Sequence, residues 1–167
     1  MSSKYVAVLT VESSTTINAP RPVVRDALLG FASYPEWTKN FVTNVELLDA
    51  EHNLLPDQRA VPSTGSWVRV TATLPDSTST HINDELLIDY DANVGTLAWH
   101  YEGFFGMLKS ERFQTLEEAE DGTTVYKTRS DFWGPAAWPL KWTSAVGLQA
   151  GFDAFGKELK ARAEALK

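Results

Sequence analysis

Six strand-like runs in succession, each closed by turn residues, constrain this chain more than any other feature of its 167 residues. The runs cover 42–50, 66–74, 81–91, 95–103, 107–118 and 123–134, and they are rich in β-branched and aromatic residues. Between them stand PDQRAVPSTG, PDSTST, DANVG, FFG and EDG, whose Gly, Pro, Asp and Asn supply hairpin turn chemistry. Consecutive hairpins build an antiparallel meander. Residues 5–17 alternate as one further strand, with Leu9, Val11, Ser13, Thr15 and Ile17 sharing a face. From about Ala136 the period becomes helical, and Leu148, Phe152, Phe155 and Leu159 form a stripe that must be buried. A bent sheet wrapped round this helix buries the stripe and leaves a cavity wherever large side chains do not fill the concavity.

The segment between the first strand and the meander holds two short helices. In NAPRPVVRDALLGF, Asn18 is a possible cap, Pro20 and Pro22 suit a helix start, and Gly30 suits its end. Residues 33–41 form the second helix, with Ser33 as cap and Pro35 in its first turn. No linker, repeat or low-complexity segment interrupts the chain, so one domain over 1–167 is expected.

Composition narrows the partners. A net charge of −7 and a pI near 4.9, without a basic patch, argue against nucleic acid. The absence of cysteine removes disulfide and thiolate chemistry, and His52, His81 and His100 stand too far apart in sequence for a metal motif. No dinucleotide or phosphate-loop fingerprint is present, so no metal and no cofactor is expected. No run reaches the length of a bilayer span; stable membrane insertion is not expected, and a cytoplasmic location is. A monomer or homodimer is expected.

Four motifs in order then carry a resemblance. STTINAPRPVVRDALLGFASYPEWTKNFV, with Ile17, Ala19, Pro20, Phe31, Tyr34, Pro35 and Trp37, resembles the opening of the START-like, birch-pollen-allergen-like (SRPBCC) superfamily. Leu97 and Trp99 in DYDANVGTLAWHYEG, and Gly122, Thr123, Phe132 and Gly134 around the last strand, are similar to later family motifs. The resemblance spans nearly the whole chain and is nearest to the polyketide cyclase/dehydrase and lipid-transport branch. It implies an α+β helix-grip fold: a seven-stranded bent antiparallel sheet wrapped round a long C-terminal helix, two short helices after strand 1, and a hydrophobic cavity. FQTLEEAEDG is one residue longer than the family pattern, so a β-bulge is expected there.

Strand alternation proposes the site. Tyr126, Thr128, Ser130 and Phe132 share one face of the last strand, opposite Lys127, Arg129 and Asp131. If that face is concave, the wall carries hydroxyls beside aromatics, suited to an oxygenated apolar ligand; otherwise these residues are strand formers bonded locally. Trp99 and Tyr101 share a face, with His100 opposite and expected to be exposed. In MLKSERF, Met107 and Phe113 argue that Glu111 faces inward, whereas Leu108 argues for Ser110 and Arg112. Asp84 falls on the face of Ile82, Leu86 and Ile88, either at a strand end or in the cavity.

Phe104 and Phe105, between two glycines, suit a lid. Trp138 and Trp142, four apart on one helix face, suit either a cavity-end wall or packing, and Gln149 and Phe152 complete the ligand-facing set. In GLQAG (147–151) the glycines let the helix approach the sheet or leave room for ligand. Tyr126 and Glu111 lead as catalytic groups, with His100 in reserve. The function that follows is a cyclase-type enzyme acting on a polyketide-like or other apolar oxygenated metabolite. The alternatives are a non-catalytic carrier of a lipid, sterol or quinone and, third, a chaperone-activator-type interaction module.

Overall fold

Along β6 (Leu108–Glu118) every second side chain is withdrawn from solvent, and the same alternation runs through β7 (Thr124–Trp133). This period-two burial is what a sheet with one covered face imposes on its strands. A computed structural model describes residues 5–75 and 77–167; the expected turn PDSTST contains Asp76, which lies outside the described residues. Five further strands complete the sheet: β1 (Leu9–Ile17), β2 (Val42–Leu48), β3 (Trp67–Thr73), β4 (Thr80–Asp91) and β5 (Thr96–Gly103). All neighbours are antiparallel, in the order β1-β7-β6-β5-β4-β3-β2. The meander therefore runs from β2 to β7, and β1 returns to pair with β7.

Helix α1 (Arg21–Leu29), a 3-10 turn (Phe31–Ser33) and the single-turn helix α2 (Tyr34–Trp37) connect β1 to β2. The concave face of the sheet holds α3 (Ala137–Thr143) and α4 (Ala145–Ala165). Phe152, Phe155 and Leu159 of α4 are buried against Val11, Ile17, Tyr34 and Tyr126 in one core. Two glycines permit this approach. A Cβ on Gly151 would stand 2.6 Å from the Phe41 ring, and one on Gly156 would collide with the Thr15 hydroxyl. The helix-grip architecture is present.

Several local expectations change. The first strand starts at Leu9 rather than Tyr5, and the second short helix is one turn, because Thr38 is already extended. Asn18 does not cap α1. Pro20 occupies that position, and the Asn18 amide donates instead to Glu164 Oε1 at 2.8 Å. Ser33 precedes α2, but its hydroxyl donates to the Gly30 carbonyl rather than capping. The C-terminal helical stretch breaks at Ser144. Pairing of β6 with β7 is continuous from Lys109–Trp133 to Glu118–Thr124, so no bulge follows Phe113; the bulges lie in β2 at Val42/Asn44 and in β4 at Leu87/Asp89.

The fold predicts an asymmetry along α4. Leu159 is fully enclosed, whereas Leu148 is half-buried at the near end of the same helix. Leu159→Ala should cost about 2–5 kcal/mol in urea unfolding, and Leu148→Ala well under half of that, since its removal opens little new void.

Candidate functional site

The concave face does not close completely on α3 and α4. A cavity of about 320 Å³ remains between them and strands β2–β7, at the small end of the range of about 300–1,000 Å³ for small-molecule sites. Val70, Trp99, Leu108, Phe132, Leu148 and Phe152 give it apolar walls. It opens past His81, Phe104 and Leu140, the first two of which are exposed.

The polar groups in this wall follow from register. Val68, Val70 and Ala72 point inward from β3, and their partners Glu85, Asn83 and His81 point inward from β4. Leu97, Trp99 and Tyr101 do so from β5, facing Gln114, Arg112 and Ser110 of β6, which in turn face Thr128, Ser130 and Phe132 of β7. One guanidinium and one carboxylate thus enter a space whose other polar groups include hydroxyls, the Asn83 amide and the His81 imidazole.

Arg112 is only 6% exposed and is bracketed by aromatic rings, its Cζ lying 4.5 Å from the Phe152 centroid and 5.3 Å from those of Phe41 and Phe155. Its Nε donates to Thr128 Oγ1 at 3.1 Å and its Nη2 to the Tyr126 hydroxyl at 3.5 Å. The Tyr126 hydroxyl donates to Gln114 Oε1 at 2.6 Å. Burial raises the Tyr126 phenol above its ordinary range despite the pull of Arg112, so it stays protonated and holds this chain of donors in place. Among the described residues no carboxylate lies within ion-pair distance of Arg112. Ring faces and neutral oxygens compensate the charge only in part.

Glu85 is the complementary group. Desolvation pushes its carboxyl up to about 7, with the positive field of Arg112 working the other way. Burial also raises Tyr101, and the nearby Glu85 adds to that shift.

The structure redistributes the expected residues. Trp99, Tyr101, Phe104, Ser130, Phe132 and Phe152 line the cavity, and Thr128 and Tyr126 stand directly behind Arg112. Glu111 does not face inward. It lies on the outer face beside His100, Nδ1 to Oε1 3.7 Å, so neither reaches the cavity. Leu108 reads the parity of β6 correctly and Met107 and Phe113 do not, since Phe113 lies in an outer depression with Glu12, Lys127 and Arg129. Asp84 is also outside, accepting from Arg69 Nε (2.7 Å) and Nη2 (2.9 Å) and facing His52 Nδ1 at 2.9 Å.

Trp138 and Trp142 do not form the cavity end. They are 56% and 82% exposed, and Leu140 between them is the α3 residue that faces the cavity. Phe105 points wholly outward, and Gln149 binds the Glu12 carbonyl (2.8 Å) and Asp153 Oδ1 (3.2 Å) instead of the cavity. Glu85, Asn83 and His81 were missed because the aliphatics of β4 suggested the opposite face.

No family model matches the chain, and no curated protein matches it by sequence. Solved structures do. A hypothetical protein, jhp0584, from Helicobacter pylori superposes with a TM-score of 0.70 at 13% identity, over 94% of this chain and 89% of that one. The di-domain ARO/CYC BexL from the BE-7585A biosynthetic pathway matches at 0.65 and 11%, over 92% of this chain and 47% of BexL. Norcoclaurine synthase from Thalictrum flavum matches at 0.63 and 10%, over 95% and 87%. At these identities the likeness establishes the fold alone, the helix-grip fold.

The Glu85 shift carries a stability signature. With its folded value near 7 and its ordinary value near 4.5, the folded protein holds this proton more tightly than the unfolded chain does. Stability should therefore fall as pH rises from about 4.5 to about 7 and level off above. Glu85→Gln should lose that decline, so that the variant gains on the wild type towards pH 8. Parallel urea-midpoint curves from pH 4 to 8 would contradict the assignment.

Proposed function

We propose that the cavity binds an apolar, oxygen-bearing small molecule of polyketide-like character and that the protein acts on it as a cyclase-type enzyme. The observation that carries this reading is the placement in one cavity of a buried guanidinium, without a carboxylate partner among the described residues, and of the Glu85 carboxyl, which desolvation raises to about 7. The likeness to an ARO/CYC and to a synthase supports it at the level of fold.

The chemistry follows from the two groups. A ketone oxygen bound at Arg112 gains negative charge when the neighbouring carbon loses a proton, and a positioned guanidinium in a dry site stabilises that charge. The Glu85 carboxylate accepts the proton. The enolate carbon then attacks a second carbonyl of the same folded chain, forming the ring C–C bond, and protonated Glu85 returns the proton to the resulting alkoxide. Apolar walls hold the chain in the reactive fold and exclude water. Tyr126 and Thr128 act as positioning residues, fixing Arg112 rather than touching substrate.

The first step can be tested with 2-acetonaphthone in D2O, following exchange of its methyl protons by NMR. The wild type should accelerate exchange, with a rate that rises as Glu85 ionises through about pH 7. Glu85→Gln should lower it about 10²–10⁴-fold, and Arg112→Met about 10²–10³-fold. Tyr126→Phe should lose less and retain the pH profile. Binding without exchange would favour the carrier, and the absence of both would overturn the cavity reading.

A further inference from the structure

The cavity opens at the end of the molecule where five large apolar side chains face solvent. Phe104 and Phe105 stand in the β5–β6 turn and are 65% and 104% exposed. Trp138 and Trp142 of α3 and Val146 of α4 add exposures of 56%, 82% and 85%. The two elements share this end, because the Ala136 amide donates to the Met107 carbonyl at 3.0 Å. Phe104 and Leu140 also line the cavity, so the exposed surface runs continuously into it.

Three observations separate this surface from incidental exposure. Phe104 and Phe105 both take left-handed backbone angles, φ 51° and 54°, which side-chain-bearing residues disfavour. Burial does not compensate that cost at Phe105, whose ring touches no core. Second, the chain carries 22 acidic residues, yet none falls between Trp133 and Phe152 or between Gly103 and Leu108. Third, the one charged residue between Trp133 and Phe152 is cationic: Lys141 Nζ lies 6.0 Å from the Trp138 ring centroid. Indoles beside lysine suit the headgroup boundary of a bilayer, where the ring enters the apolar layer and the ammonium stays in water.

We propose that this end of the protein docks peripherally on a lipid bilayer surface, with Phe105, Trp138 and Trp142 entering the interface and the cavity mouth held against it. Among the described residues no helix is long and apolar enough to cross a membrane, so the contact is made by a turn and a helix face. The carboxylate of Glu102 beside the turn at Gly106 is ion-paired with Lys109 at 3.0 Å, so the rim carries no net negative charge to repel anionic headgroups, a feature that a basic protein partner would not require. The proposal goes beyond the chemistry assigned to Arg112 and Glu85 and does not depend on it.

The full chain can be mixed with vesicles of phosphatidylcholine and of phosphatidylcholine with phosphatidylglycerol (7:3). Binding is read by co-sedimentation and by quenching of tryptophan fluorescence with brominated acyl chains. The wild type should partition onto both, more strongly onto the anionic mixture. Trp142→Ser combined with Phe105→Ser should lower the partition coefficient at least 10-fold with an unchanged melting temperature. Lys141→Glu should remove the preference for the anionic vesicles. Arg112→Met should bind vesicles as the wild type does, which separates failure of this proposal from failure of the cavity chemistry. Absence of vesicle binding, equal binding by the double variant, or a concentration-dependent dimer that the double variant loses would each overturn it, the last by assigning the surface to a second copy of the chain.

Discussion

A guanidinium buried among aromatic rings, with no ion-pair partner among the described residues, is the constraint round which the rest of the concave face is arranged. Removing such a charge from water is expensive, and hydroxyls and ring faces offset only part of the cost. Thr128, Tyr126 and Gln114 accordingly form a relay of neutral groups behind Arg112, while Phe41, Phe152 and Phe155 lie within 5.3 Å of it. All of these side chains except Phe41 come from strand or helix positions, and Phe41 is buried in the core from the bend just before β2. The charge is therefore held rigidly, with the cavity on its open side.

Two consequences follow from that rigidity. The positive field of Arg112 reaches Glu85, yet desolvation still keeps that carboxyl near 7, which is why the proposed mechanism uses the two groups as anchor and proton carrier. The glycines of α4 matter for the same reason. Gly151 lets Phe41 lie against the helix, and Phe41 in turn covers Arg112. Packing, charge and cavity shape are one arrangement.

Much of the architecture was legible in the chain, because alternation in β5, β6 and β7 and the helical stripe of α4 are local properties that tertiary structure did not override. The inward set Tyr126, Thr128, Ser130 and Phe132 was readable for that reason. Two places were not. In β4, Ile82, Leu86 and Ile88 mimic an inward face, but Leu86 pairs with Trp67, over which His52 from the β2–β3 connection lies at 4.3 Å. A loop folded across the outer surface thus made outward positions apolar. The bulge at Leu87/Asp89 then reverses the parity, so that Tyr90 faces inward as Glu85 does. In β6 the apolar markers conflict, and only pairing with Trp99 and Ser130 decides for Arg112. The exposed tryptophans misled for another reason: their spacing of four puts them on one helix face, and spacing alone does not say whether that face turns inward or outward.

The account stands on Arg112 as a cationic anchor that opens into the cavity and has no ion-pair partner among the described residues. It is tested most directly by following the Arg112 Nε resonance by 15N NMR while titrating naphthalene-1-acetate or its methyl ester. The acid should shift the resonance saturably and bind at least 10-fold more tightly than the ester, and Arg112→Met should abolish that preference. Equal affinities for acid and ester with an unmoved Arg112 resonance would contradict the account.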